Sequence, residues 1–141
     1  MKVGFTGTRK GMTILQKKKL LAFLTKFGNV IKEVHHGDCV GADAEFHEIV
    51  RQNFPTIKIV IHPPINPKFR AFCDGDEERK PKDYLARNRD IVDETDILIA
   101  CPAQKKEILR SGTWATVRYA RKKKKFILII FPDGSLEVEN Y

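Results

Sequence analysis

The sequence has no apolar run long enough to cross a membrane. Its longest run, residues 126–131, has six residues, whereas a membrane-spanning helix needs about 20. Cysteine is also scarce: Cys39, Cys73 and Cys101 are widely spaced, which is typical of a reducing compartment rather than of a disulfide framework. Because the chain enters a predicted strand at Lys2 without a leader segment, we expect a cytoplasmic protein with no membrane contact.

Linkers and repeats are missing as well. Gly, Pro and Ser do not accumulate into a linker, no segment repeats, and 141 residues fit one domain. We therefore expect a single domain over residues 1–135, followed by a short C-terminal tail at 136–141.

Apolar segments that alternate with amphipathic ones are what the chain does have. The predicted strands are 2–6, 30–35, 57–61, 96–101 and 126–131, and the predicted helices are 14–27, 42–53, 82–94 and 113–125. Several strands are almost continuously apolar, which is typical of a parallel sheet covered on both faces. Right-handed crossovers then give an α/β fold with a doubly wound, five-stranded parallel sheet of order 3-2-1-4-5. The proline-rich segment 63–81 is predicted to be a long loop.

Ligands of such sheets bind beyond the carboxyl ends of the strands, where the strand order switches. That switch lies between the first and fourth predicted strands, beside loops 7–11, 36–41 and 102–112. Each loop precedes a helix, and the unpaired N–H groups at a helix start bind phosphate and other anions. The sequence therefore predicts an anion site at this edge of the sheet.

The first two loops supply most of the candidate ligand-binding residues. These are Gly7, Thr8, Arg9, Gly37, Asp38, Gly41, Ala42 and Asp43. Neither loop has the GxGxxG dinucleotide fingerprint, and an ordinary strand-to-helix turn is the alternative for Gly7 to Arg9. Asp43 either balances the helix dipole or accepts hydrogen bonds from a ribose hydroxyl or a base.

The third helix and the last loop complete the set. The candidate ligand-binding residues in these two segments are Arg87, Asn88, Pro102, Ser111, Gly112 and Thr113. Asparagine is mildly unfavourable inside a helix, so Asn88 invites a functional explanation, whereas Arg87 has a plain salt bridge as its alternative. Ser111 and Thr113 are both plausible N-caps.

A metal site is the weakest possibility that the sequence offers. His35, His36, Cys39 and His47 lie near one another in the chain, but they lack the paired-ligand spacing of structural zinc sites. We expect His47 to be an ordinary helix residue, and we expect no metal and no cofactor.

The charge balance is basic, with 26 Lys and Arg against 18 Asp and Glu. Such a surface attracts phosphates, whether on a nucleotide or on nucleic acid. Much of the excess lies in the runs 17–19 and 121–125 on predicted helices. These runs are either solvated helix faces or a contact for nucleic acid. The sequence leaves the oligomeric state open, a homo-oligomer included.

These motifs, taken in order, resemble the DprA/SLOG superfamily. The segment Gly37-x-x-x-Gly41-Ala42-Asp43-x-x-Phe46-His47 is similar to the family's G-x-A-x-G-I-D-x-x-A-H. Arg87-Asn88-Arg89, the strand 96–100 and Ser111-Gly112-Thr113 follow in the family's order. The resemblance implies a Rossmann-like fold whose members bind nucleotides, nucleotide-derived signals or single-stranded DNA.

The superfamily includes the LOG phosphoribohydrolases, and this chain departs from their motif. Those enzymes carry P-G-G-x-G-T-x-x-E, whose Glu supports cleavage of an N-glycosidic bond. Here Leu109-Arg110-Ser111 replaces the first element, and Thr116 stands at the position of the Glu. The resemblance therefore leaves the question of enzymatic activity open.

Three hypotheses follow for function. The first is binding of a nucleotide or nucleotide-derived signalling ligand through phosphate sites at helix N-termini. The second is hydrolysis or transfer at an N-glycosidic bond of nucleotides, for which Asp43, Asp38 and the acidic loop 74–78 are the candidate acids. The third is binding of single-stranded nucleic acid through the basic helices, although few aromatic residues are interleaved with the charges.

Overall fold

The computed structural model describes residues 1–141 and consists of seven strands and four helices. The strands are β1 (Lys2–Gly7), β2 (Glu33–His36), β3 (Lys58–Ile61), β4 (Glu77–Glu78), β5 (Ile97–Cys101), β6 (Phe126–Ile130) and β7 (Leu136–Glu139). The helices are α1 (Ile14–Phe27), α2 (Ala42–Asn53), α3 (Tyr84–Asp93) and α4 (Gly112–Lys122), with a short 3-10 turn at Pro67–Phe69. None of the four helices combines the length and apolar character needed to cross a bilayer.

All seven strands form one sheet of order β4-β3-β2-β1-β5-β6-β7. Neighbours pair in parallel, except that β7 runs antiparallel to β6. The five inner strands have the predicted order, because β3-β2-β1-β5-β6 is the expected 3-2-1-4-5. The α/β, doubly wound prediction is therefore confirmed.

The predicted number of strands is wrong by two. Strand β4 lies inside the expected loop 63–81 and has only two residues, too few to produce a sequence period. Strand β7 lies in the expected tail and pairs with β6 through the turn at Gly134. Its apolar residues Leu136 and Val138 stay exposed, so burial did not mark it as part of the sheet.

The helices cover the two faces of the sheet. On one face, α1 and α2 pack through Leu20, Leu24 and Phe46 against the larger cluster of buried strand residues. On the other face, Trp114 and Val117 of α4 belong to a second cluster. Successive strand residues alternate between the two clusters, as the period of a strand requires. The carboxyl ends of β1 and β5 are thus held between two packed layers.

Gln16 fixes the loop after β5 to the first helix. Thr13 and Gln16 form a capping box at the start of α1. The amide of the buried Gln16 side chain also donates to the carbonyls of Pro102, at 2.8 Å, and Ile130, at 2.9 Å. This buried amide anchors one wall of the region where the candidate site lies.

Candidate functional site

A cavity of about 420 Å³ opens at the carboxyl ends of β1 and β5, where the strand order switches as predicted. Its walls are the end of β1, the loops after β1, β2 and β5, the first turns of α2 and α4, and one side of α3. The volume lies in the range of about 300–1,000 Å³ that small-molecule sites occupy.

Most of the predicted ligand-binding residues meet at this cavity. Those that line it are Gly7, Thr8, Arg9, Gly37, Asp43, Arg87, Asn88, Ser111, Gly112 and Thr113. They come from five separate segments of the chain, so the fold brings together residues that are more than a hundred positions apart. The remaining four, Asp38, Gly41, Ala42 and Pro102, do not line the cavity.

Gly41 and Ala42 hold the first two loops together instead. Gly41 has φ +91°, and a Cβ there would come within 2.3 Å of the Arg9 carbonyl oxygen. The Ala42 N–H donates to the carbonyl of Thr8 at 3.0 Å. Only glycine fits at position 41, because both the backbone angle and the close approach of the two loops exclude a side chain.

Asp38 and Pro102 are also supports of the walls. Asp38 is fully buried, and its carboxylate accepts from Arg70 Nε at 2.7 Å and from the Cys73 N–H at 2.8 Å. Pro102 is buried and offers its carbonyl to Gln16. Neither side chain is available to a ligand, so we omit both from the proposed site.

The start of α4 presents free N–H groups to the cavity. Ser111 is the N-cap, and its hydroxyl accepts from the Trp114 N–H at 3.2 Å. The N–H groups of Gly112 and Thr113 have no acceptor within the chain. A Cβ built at Gly112 would meet nothing within 4 Å. This is the geometry of an anion site at a helix N-terminus.

The Thr8 amide is not free for a ligand, although it lies in one of the loops where we expected an anion site. The Thr8 N–H donates to the Cys101 carbonyl at 3.1 Å, which continues the pairing of β1 with β5. Thr8 therefore has its hydroxyl near the cavity but no free N–H.

Asp43 contributes an unpartnered carboxylate oxygen. The residue is only 6% exposed and lines the cavity from the first turn of α2. Its Oδ2 accepts from the Cys39 N–H at 3.2 Å, whereas its Oδ1 is buried with no hydrogen-bond partner. Burial raises the pKa of this carboxyl to about 6, against the opposing pull of the Arg87 guanidinium. A buried acceptor of this kind is costly unless a ligand donates to it.

Arg87 is a wall residue rather than a free cation. It is buried, and its Nη1 donates to the carbonyls of Gly37 and His62. Its Nε donates to Asn88 Oδ1 at 2.8 Å. It does not form the plain salt bridge that was its alternative in the sequence, since the nearby Asp90 pairs with Lys82 and Asp83 caps α3. Its charge still acts on the cavity at close range.

The rim is basic, and sequence reasoning missed part of it. Arg9, Lys10 and Arg110 line the cavity, and none of them pairs with a carboxylate. Tyr84, 49% exposed at the first position of α3, also lines it. The position of Arg110, directly before the Ser-Gly-Thr turn, was a signal that could have identified it.

Two features separate the site from the hydrolase motif. Thr116, at the position of the catalytic Glu, is buried, and its hydroxyl donates to the Gly112 carbonyl at 2.8 Å inside α4. The acidic loop pairs elsewhere, since Asp76 binds Arg51 and Glu78 binds Arg70. Asp43 is thus the one carboxylate of the cavity wall.

The four residues considered for zinc are not brought together. His36 Nε2 contacts His47 Nδ1 at 2.9 Å on the α2 side of the sheet. His35 belongs to a separate pair with His62, because successive strand residues face opposite sides. Cys39 Sγ accepts from Arg87 at 3.2 Å.

Comparison with known proteins places the fold. No protein-family model matches the sequence, and no curated protein matches it. The molybdenum cofactor binding protein of Rippkaea orientalis matches 92% of this chain and 76% of its own, with TM-score 0.70 and 18% identity. DNA processing protein A of Helicobacter pylori, described by its single-stranded DNA binding mode, matches 92% of this chain and 64% of its own, with TM-score 0.64 and 21% identity. The X-ray structure of TM1055 matches 89% of this chain and 71% of its own, with TM-score 0.63 and 13% identity.

The architecture and these neighbours define an α/β chain of the Rossmann-like class. Within that class it shares its fold with the molybdenum cofactor binding protein and with DNA processing protein A, which agrees with the resemblance that the ordered motifs indicated. At these identities the likeness concerns the fold, and the chemistry of the site has to be argued from its own residues.

Proposed function

We propose that the chain binds a nucleotide or nucleotide-derived small molecule in the cavity between α2, α3 and α4. Its phosphate would accept from the N–H groups of Gly112 and Thr113, and a hydroxyl or amine of its sugar or base would donate to Asp43 Oδ1. One observation supports the proposal: a single cavity is lined both by helix-start residues whose amides are free and by Asp43, a buried carboxylate with one unpartnered oxygen.

The presence of free amides and an unpartnered carboxylate in the wall of one cavity restricts the chemistry of the ligand. The unpaired basic residues Arg9, Lys10 and Arg110 disfavour a cation and favour an anion. A simple anion would leave Asp43 Oδ1 unsatisfied, because a carboxylate needs a donor. A ligand with an anionic group and a neutral donor answers both requirements, and a nucleotide has both. Tyr84 at the rim offers a face on which a base can stack.

Calorimetry with a matched panel tests the proposal. The panel holds nucleoside monophosphates, ADP-ribose and cyclic dinucleotides, together with the parent nucleosides and inorganic phosphate. We expect at least one nucleotide to bind, and its nucleoside and phosphate alone to bind at least tenfold more weakly. Silence across the panel at high micromolar concentration would contradict the proposal.

Two variants locate the binding. Asp43→Asn removes the charged acceptor and should weaken the best ligand about tenfold or more, since hydrogen bonds to charged groups contribute about 1.5–3 kcal/mol. Lys19→Ala removes an exposed cation on α1 and should change nothing. If Lys19→Ala weakens binding as much as Asp43→Asn, and an oligonucleotide binds with a steep salt dependence, the basic helices bind nucleic acid instead.

A second candidate function is cleavage of an N-glycosidic bond, and it rests on Asp43 alone. A carboxyl whose pKa is about 6 is suited to proton transfer near neutral pH. Under this proposal nucleoside monophosphates would release their base, and Asp43→Asn would abolish the release. Absence of product after a day would reject it for those substrates while leaving the binding proposal intact.

A further inference from the structure

A second cluster of titratable side chains, two of them buried, lies away from the ligand cavity at the end of α3. His35 of β2, His62 directly after β3 and Glu94 at the C-cap of α3 each present one ligand atom within 4.8 Å of the others. His35 and His62 are 0% and 1% exposed, respectively. None of the three lines the ligand cavity. We propose that this cluster, the His-His-Glu cluster, binds one divalent transition-metal ion, with zinc as the reference ion.

The outer nitrogen of His35 supports this assignment. His35 Nε2 lies 2.5 Å from Glu33 Oε2. A neutral His35 ring therefore carries its proton on Nε2, and the lone pair of Nδ1 can bind a metal ion. A histidine whose far N–H is held by a carboxylate is the usual arrangement around a bound metal. Glu33 therefore fixes the tautomer that His35 needs as a ligand.

The inner nitrogens face each other at the proposed metal position. His35 Nδ1 and His62 Nε2 are 2.7 Å apart and share one hydrogen bond. Zinc–nitrogen bonds of about 2.0–2.1 Å at a tetrahedral angle place two nitrogens about 3.3 Å apart. The rings must therefore separate by about 0.6 Å, and the proton on His62 Nε2 must move to its Nδ1, which has no partner within the chain.

Glu94 supplies the third ligand and the access route. Its side chain is 34% exposed, so an ion can enter beside it. Arg79 donates twice to Glu94 Oε1, at 2.8 and 3.1 Å, which positions the carboxylate and leaves Oε2 free. Two imidazoles and one carboxylate suit zinc and its neighbours, whereas magnesium and calcium prefer oxygen ligands alone.

The other histidine cluster serves as the internal control. His36, His47 and Cys73 also bring ligand atoms within 4.8 Å. His36 Nδ1, however, accepts from the Asp38 N–H at 2.9 Å, so the ring proton must sit on Nε2, the atom that would have to bind the metal. Burial and Asp38 also raise the pKa of the Cys73 thiol to about 12. Because the Asp38 N–H occupies His36 Nδ1, the ring cannot move its proton there, and this cluster should not take a metal ion.

The test measures metal stoichiometry and the spectrum of bound cobalt. Protein stripped with a chelator is dialysed against Zn²⁺ and analysed by mass spectrometry, and Co²⁺ is titrated into a separate stripped sample that holds no zinc. We expect one equivalent of zinc per chain, a rise in melting temperature, ligand-field bands without a thiolate charge-transfer band, and no competition from excess Mg²⁺. No stoichiometric zinc, or a thiolate band, would overturn the proposal.

The variants separate the two clusters. Glu94→Gln keeps the shape of a partly exposed side chain and should weaken zinc at least tenfold, and His62→Asn should abolish binding. His47→Asn and Cys73→Ser should bind zinc like the parent chain. Circular dichroism checks each fold; if His62→Asn is unfolded, Glu94→Gln decides. Zinc affinity that is unchanged in Glu94→Gln, or lost in His47→Asn with the fold intact, would contradict the assignment.

Discussion

The starts of α2 and α4 lie on the same cavity and are built in opposite ways. At α2 the chain uses its own groups: Gly41 contacts the Arg9 carbonyl, and the Ala42 N–H donates to Thr8. At α4 the first two N–H groups are unpaired, and Gly112 faces open space.

The comparison separates what shapes the site from what the site can bind. The α2 start is closed by backbone contacts at Gly41 and Ala42, and Asp43 brings its carboxylate to the cavity wall. The α4 start is open and offers amides. Glycines occur at both starts, but Gly41 is required by the backbone whereas Gly112 leaves room for a ligand. Residue type alone therefore does not tell the two roles apart.

The largest effect we expect is a difference in stability between two variants, one with a methyl group added at the α2 start and one with a methyl group added at the α4 start. Gly41→Ala places a Cβ 2.3 Å from the Arg9 carbonyl oxygen at φ +91° and should lower the free energy of unfolding by about 3 kcal/mol. Gly112→Ala meets nothing within 4 Å and should change it by less than about 0.5 kcal/mol. Urea unfolding measures both.

Gly112→Ala also tests whether the ligand binds at the open start of α4. Because its methyl group would occupy the space before the free amides, nucleotide affinity should fall although stability does not. A variant that binds normally would place the ligand elsewhere, and equal stability of the two alanine variants would contradict the closed and open descriptions.

Asp43→Asn should weaken ligand binding and, at neutral pH, raise the free energy of unfolding. The folded pKa of about 6 exceeds the reference value of 3.8, so the folded state binds more protons between these values and wild-type stability falls as the pH rises through them. At pH 7 the variant, which cannot ionise, should be more stable by about 2–3 kcal/mol. At pH 3.5 the difference should vanish.

Denaturant melts of both proteins from pH 3.5 to 8 measure this effect. A variant that is less stable than the parent at pH 7 would show that Oδ1 is satisfied inside the protein. In that case the argument for a donor on the ligand would fail.

Ser111→Ala tests the cap of the open helix start. The Ser111 hydroxyl accepts from the Trp114 N–H, and the loss of such a cap costs about 1 kcal/mol. Thr13→Ala at the start of α1 removes a comparable cap at a residue that does not line the cavity. Both should lower the melting temperature, but only Ser111→Ala should weaken the nucleotide, as calorimetry would report.

The smallest expected effect is at the rim. Arg110→Gln removes an unpaired cation and should weaken the nucleotide a few-fold at low salt, less as ionic strength rises, because exposed charges are screened. Lys19→Gln is the matched control on α1. An effect of Arg110→Gln that persists undiminished in 1 M salt would indicate a direct, desolvated contact instead.

Sequence reasoning succeeded where the pattern was local. The apolar strands and helices α1 and α2 were predicted within three residues, since burial on both faces and clear capping residues mark them. The edge strands β4 and β7 were missed because their pairing leaves no burial pattern.

For the site, the sequence indicated which loops meet but not the state of each group. That the Thr8 N–H is taken by Cys101 and that Arg87 is held by carbonyls depends on strand register and on contacts across the fold. The pairing of His35 with His62 links residues 27 positions apart, which no local spacing could reveal.

The central claim is tested most directly by backbone amide NMR during titration with a nucleoside monophosphate. The account predicts that the Gly112 and Thr113 amides shift most and saturate, whereas the Thr8 amide, already bonded to Cys101, moves little. Shifts spread over the basic runs 17–19 and 121–125, with Gly112 and Thr113 unmoved, would contradict it.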